Sequence, residues 1–139
     1  MDSEAPELML NAHETGMLGF LEERQRRRIR ALFELGPKGR QKVRQYLDHE
    51  MRFDPRHVVP LTGLESLPPR ILKRLQESGA PEQCFIVSSD QRIDGREMRL
   101  ADAIDAVIAS ASGSCISCIP GKLAYWQGED IGTSCILRR

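Results

Sequence analysis

Residues 115–126 read Cys-Ile-Ser-Cys-Ile-Pro-Gly-Lys-Leu-Ala-Tyr-Trp. Two short, β-prone runs, Cys115 to Ile119 and Leu123 to Trp126, flank the turn pair Pro120-Gly121. A further run, Cys135 to Leu137, follows the glycine-bounded stretch Gly128 to Gly132, and another, Cys84 to Val87, lies upstream. Runs this short, joined by glycine turns, predict a small, mostly antiparallel sheet. Asp94-Gly95 is a tight-turn signal within Asp90 to Gly95. Met98 to Ala111 predicts the one helix among these strands, because Leu100, Ile104, Val107 and Ile108 share a face and Gly113 follows.

The first half predicts helices. Residues 16–35 read as one helix with Leu18, Leu21, Ile29 and Leu32 on a stripe. Its middle, Glu22 to Arg28, holds no apolar residue, so it faces water or lays arginine stems along a core. Gly36-Pro37 ends that helix and starts the next, Pro37 to Met51, with Val43, Tyr46, Leu47 and Met51 inward. The pair is an αα-hairpin. Asp54 to Gly63, with prolines at 55 and 60, reads as a loop. Ser66 is the expected N-cap of a third helix that opens on Pro68-Pro69, buries Ile71, Leu72 and Leu75, and stops at Gly79.

The fold class expected is therefore α+β: an N-terminal αα-hairpin and a third helix, then a small, mostly antiparallel sheet with one further helix. Residues 1–15 are expected to be an acidic, flexible tail, and 16–139 a single domain. Within it, 16–52 form the basic hairpin and 80–139 the β-rich part. A chain of 139 residues has room for one ordinary domain, and 40% hydrophobic residues supply its core.

Twenty Lys+Arg balance twenty Asp+Glu, so no global charge draws the chain to nucleic acid or membrane. The charge is nevertheless segregated. Residues 1–14 hold Asp2, Glu4, Glu7 and Glu14 and no base, whereas 21–46 carry nine Lys/Arg against three acids. No run approaches the ~18 apolar residues that span a bilayer, and the N-terminal residues lack a secretory pattern. No membrane association is expected, and the cytoplasm is the expected compartment.

Cys115 and Cys118 form a C-x-x-C, but on a strand residues three apart face opposite ways and cannot close an unstrained disulfide. Cys84 and Cys135 do not complete a zinc knuckle. Three of the four sit in apolar, β-like contexts, which predicts buried, reduced thiols. His13, His49 and His57 lack ligand spacing. Asp90, Asp94, Glu97, Asp102 and Asp105 alternate with Arg92, Arg96 and Arg99, a pattern of exposed ion pairs followed by acids at a helix start. No phosphate loop or nucleophile elbow is present. No cofactor, metal or catalytic residue is expected, and nothing points to an enzyme.

Two surfaces remain. Adjacent Tyr125 and Trp126 point to opposite faces of a strand, and one of them is the expected anchor for a protein partner or a second copy. This is the first expectation: a binding domain acting through protein–protein contact. The alternative is nucleic-acid binding by the basic hairpin, with Arg26, Arg27, Lys38, Arg40 and Arg44 as its residues. An enzyme of unrecognised type is third.

Overall fold

Cys84, Phe85, Ile86 and Val87 are all buried, and so are Cys115 through Cys118. A strand sends alternate side chains to opposite faces, so a strand buried throughout must be covered on both. The computed structural model, which describes residues 11–49, 51–130 and 133–139, has that arrangement. In chain order it comprises α1 (Ala12–Leu18), α2 (Glu23–Glu34), α3 (Pro37–His49), β1 (Val58–Pro60), α4 (Pro68–Glu77), β2 (Gln83–Ser88) and β3 (Glu97–Arg99). It continues with α5 (Leu100–Ser110), β4 (Ser114–Ile119), β5 (Leu123–Gln127) and β6 (Ser134–Arg138). The class is α+β.

The strands form one six-stranded sheet in the order β1-β6-β5-β4-β2-β3. Every neighbouring pair is antiparallel. One face carries Phe85, Val87, Cys115, Ala124, Cys135 and Leu137, which pack with Met17, Leu18, Ile29, Phe33, Val43 and Leu47 of α1 to α3. The other carries Cys84, Ile86, Ile116, Cys118, Leu123, Tyr125 and Ile136, which pack with Ile71 and Leu75 of α4 and Leu100, Ile104 and Val107 of α5. The basic hairpin thus lies flat on one face of the sheet. No helix among the described residues is long and apolar enough to cross a membrane.

The single helix expected over 16–35 is two helices. Met17, Leu18, Phe20 and Leu21 are all buried, but only the first two are helical, with Gly19 as the C-cap of α1. The chain opens after Leu18 instead. Leu21 bridges Phe53, the Glu22 amide donates to the Arg52 carbonyl, and the Asp54 amide donates to the Phe20 carbonyl. The first helix starts at Ala12, inside the stretch whose charge marks it as tail; its Asn11 side chain and Glu14 cap each other's amides. Asp2, Glu4 and Glu7 lie outside the described residues, as does the His49 side chain.

Three boundaries also move. The proline-flanked loop over 54–63 contains β1, which pairs with β6 at the sheet's edge. Met98 belongs to β3, so the helix expected from it begins at Leu100. Leu67, not Ser66, caps α4; the Ser66 hydroxyl donates to the Gly63 carbonyl.

Both sheet edges are blunted. The Val58 amide is taken by the Pro55 carbonyl, and Pro60 has no N–H. On the far side β3 is only Glu97-Met98-Arg99, short and charged. Such edges oppose pairing with another strand.

Gly113 precedes β4, where the end of α3 presses on the sheet. A Cβ there would lie 2.2 Å from the Leu47 carbonyl carbon and oxygen. Gly113→Ala is expected to destabilise the protein by about 2–3 kcal/mol through forced separation of α3 from β4. Urea unfolding checks this, and an unchanged midpoint would contradict it.

Candidate nucleic-acid interface

Helix α3, Pro-Lys-Gly-Arg-Gln-Lys-Val-Arg-Gln-Tyr-Leu-Asp-His, divides its charges by face. Val43 and Leu47 enter the core under the helix. Arg40 and Arg44 turn beside them rather than outward, to meet Glu14 of α1 and Asp94 of the β2–β3 turn. Arg40 pairs with the Glu14 carboxylate, its guanidinium lies 5.8 Å from the Phe33 ring centre, and its Nη2 is 3.6 Å from Asp94 Oδ2. Arg44 donates to the same Asp94 oxygen from Nε at 2.9 Å and Nη2 at 2.8 Å. Asp94 Oδ1 accepts the Ser88 amide at 2.9 Å. The Asp94 side chain is 3% exposed, so its charge needs these partners.

The last turn of α3 is held by another carboxylate. Asp48 Oδ1 accepts the Ser89 hydroxyl at 2.6 Å and the Gly113 amide at 2.8 Å. This pins α3 across the ends of β2 and β4. Neither Glu14 nor Asp48 stood out in the sequence, since each is a lone acid whose partners are remote in the chain. Asp94 read as part of a turn with Gly95 and of a series of exposed ion pairs; its carboxylate is instead buried against Arg44 and Arg40 of α3, partners that lie about fifty residues away in the chain.

Lys38, Gln41, Lys42 and Gln45 are left exposed on α3. Next to it, α2 exposes Arg24, Arg27, Arg28 and Arg30, while Arg26 is half-buried. Arg27 pairs with Glu23 at 2.7 Å one turn earlier, and Arg28 reaches the Tyr46 hydroxyl across the hairpin at 3.4 Å. Of the five residues expected to face nucleic acid, Lys38 and Arg27 are exposed and Arg26 is partly so. Arg40 and Arg44 hold the fold together from beneath.

The aromatic pair divides between the cores. Tyr125 is 2% exposed, its hydroxyl donates to Gln127 Oε1 at 3.2 Å, and burial pushes its pKa up to about 12. Trp126 is half-buried with its ring edge-on to Phe53 at 5.2 Å, and its Nε1 donates to the Leu47 carbonyl at 3.3 Å. Tyr125 thus lies within the core, while Trp126 packs on Phe53 and remains partly exposed.

Cys115 and Cys135 sit in the core beneath the hairpin, whereas Cys84 and Cys118 sit in the other. All four are free thiols. Burial pushes Cys84, Cys118 and Cys135 up to about 12 and raises Cys115 as well. His13 stacks on Phe85 with 5.3 Å between ring centres, and its Nδ1 lies 2.7 Å from the Ser117 hydroxyl. Burial lowers its pKa, partly offset by Glu97. Asp90 and Arg92 form an exposed pair at 2.8 Å, which holds the Asp90 carboxyl below the usual carboxylate range. Asp102 and Asp105 are exposed on α5. Among the described residues no three His, Cys, Asp or Glu side chains converge in a way that could hold a metal ion.

No family model matches this chain, and neither a curated protein nor a solved structure is significantly similar to it.

Asp94→Asn keeps an acceptor for the Ser88 amide but removes the carboxylate that holds Arg44 and that Arg40 shares with Glu14, and is expected to cost about 3 kcal/mol. Lys38→Ala is expected to change stability by less than about 0.5 kcal/mol. Paired denaturation curves check the contrast, and equal midpoints would overturn it. The thiols are expected to resist a disulfide reagent at mildly alkaline pH in the native state and to react on unfolding. Rapid native labelling would show that they are not held in this way.

Proposed function

We propose that the protein binds nucleic acid through the outer face of the α2–α3 hairpin. The observation that carries this is the exposed side of α3. Lys38, Gln41, Lys42 and Gln45 lie along it at helical spacing, and no acid lies among them. Among the described residues the hairpin's exposed acids sit elsewhere, Glu22 and Glu23 at the start of α2 and Glu34 at its end. The acids closest to the inner arginines, Glu14 and Asp94, are spent beneath the helix.

Such a face suits a phosphodiester backbone. Ammonium groups displace counterions from phosphates, and glutamine amides both donate to and accept from base edges. The helix spans about 20 Å, enough to lie along a groove. It is also braced from behind, by Arg40 and Arg44 at its start and middle and by Asp48 at its end. A braced recognition helix loses less freedom on binding than a mobile one.

The helical bracing dictates which residues to change. Charge reversal at Arg40 or Arg44 would disturb the fold, so Lys38→Glu with Lys42→Glu is the informative variant. Fluorescence anisotropy against duplex and single-stranded oligonucleotides is expected to show binding whose logarithm falls linearly with that of salt. Lys38→Ala with Lys42→Ala is expected to reduce that slope by about two, and the double glutamate to weaken binding by at least about tenfold at low salt. Absence of binding at low salt, or binding that the double glutamate leaves unchanged, would refute the reading.

A further inference from the structure

At one end of the sheet three strand termini bring cations together that the chain separates widely. The ladder pairs Val58 with Leu137 and Leu123 with Arg138. One step further, the Arg139 amide donates to the Lys122 carbonyl at 3.0 Å, and His57 comes beside Arg138. The result is an open bay of about 860 Å³ lined by Arg56, His57, Lys122, Arg138 and Arg139, with Val59 and the Pro120-Gly121 turn as its uncharged wall.

Two features separate this bay from an ordinary solvated surface. Like charges on neighbouring strands repel, and a sheet normally avoids setting them side by side. Here Lys122 adjoins Arg139, and no carboxylate among the described residues pairs with Lys122, Arg138 or Arg139. The nearby acid, Asp54, is occupied by Arg56, which grips both its oxygens and holds its carboxyl well below the usual carboxylate range. Among the described residues cations exceed anions here, even with an α-carboxylate counted at Arg139. The second feature is bracing. Helix α1 crosses behind the bay so closely that a Cβ on Gly16 would lie 2.3 Å from the Gly121 nitrogen. The Arg139 guanidinium lies over Gly19, where a Cβ would come within 2.4 Å of Nη1. The turn that carries Lys122 is therefore set in place before any ligand arrives, and the Arg139 guanidinium lies beside it.

We propose that this bay binds a phosphate-bearing small molecule, with its phosphate between Lys122, Arg138 and Arg139 and its uncharged part against Val59 and Pro120. A phosphomonoester or pyrophosphate group carries enough charge to offset several cations at once, and arginine forks match its oxygens in pairs. The site lies at the end of the sheet remote from Asp48 and does not depend on the hairpin's role.

The probe is inorganic pyrophosphate, followed by calorimetric titration and by thermal unfolding at moderate ionic strength. Saturable binding that raises Tm is expected. Lys122→Gln with Arg138→Gln should weaken it by about tenfold or more, whereas Lys38→Gln with Lys42→Gln should leave it unchanged. Without ligand, Lys122→Gln should melt no lower than the parent, because one of two adjoining like charges is gone. No saturable binding up to about 10 mM would overturn the proposal, as would binding that the bay variant retains or a Lys122→Gln variant that melts lower. Loss in the hairpin variant alone would move the anion to α3 and equally overturn it. Competition by a 5′-phosphorylated but not a 5′-hydroxyl oligonucleotide would support the bay with its phosphate on a chain end. Competition by neither would support it with a free small molecule.

Discussion

Burial of the sheet on both faces is the constraint from which the rest follows. An antiparallel sheet often keeps one face in water, but here Cys84 and Ile86 enter one core while Phe85 and Val87 enter the other. Each face therefore needs helices, and the order of the chain assigns them. The helices of the N-terminal part take one face, and α4 with α5 takes the other. The first strand closes the arrangement by pairing with the last.

The same constraint explains where the charges go. An αα-hairpin laid flat on a sheet has an inner side, and on α3 that side falls beside two arginines as well as Val43 and Leu47. Guanidinium groups near a core need carboxylates, and the fold supplies them from α1 and from the β2–β3 turn. The basic segment is thus divided into arginines that tie three elements together and lysines and further arginines that stay in water. Composition treats them alike; position separates their roles.

Glycine serves this close packing at two points. Gly113 lets the last turn of α3 rest on the start of β4, and Gly16 lets α1 rest on the β4–β5 turn. In each case backbone meets backbone, at a distance that no side chain permits. The bay at the sheet's end inherits its rigidity from the second of these contacts.

Much of the fold could be read from the sequence because its signals are local. The runs at Cys84, Cys115, Leu123 and Cys135, the turn at Pro120-Gly121 and the break at Gly36-Pro37 each depend on a few adjacent residues. The opposite facing of Cys115 and Cys118 follows from the two-residue period of a strand. What escaped were features whose stability comes from distant partners. Val58 to Pro60 is a strand only because β6 lies beside it, and the helix break at Gly19 to Glu22 exists because Leu21 and Phe53 meet. The inward turn of Arg40 and Arg44 depends on Glu14 and Asp94, and the basic bay joins residues 56 and 139, which only strand pairing brings together. The chain alone determined most of the helices, the four longer strands and where positive charge accumulates, since local spacing encodes these. Tertiary structure decided which of those charges meet water, because that depends on what each face packs against.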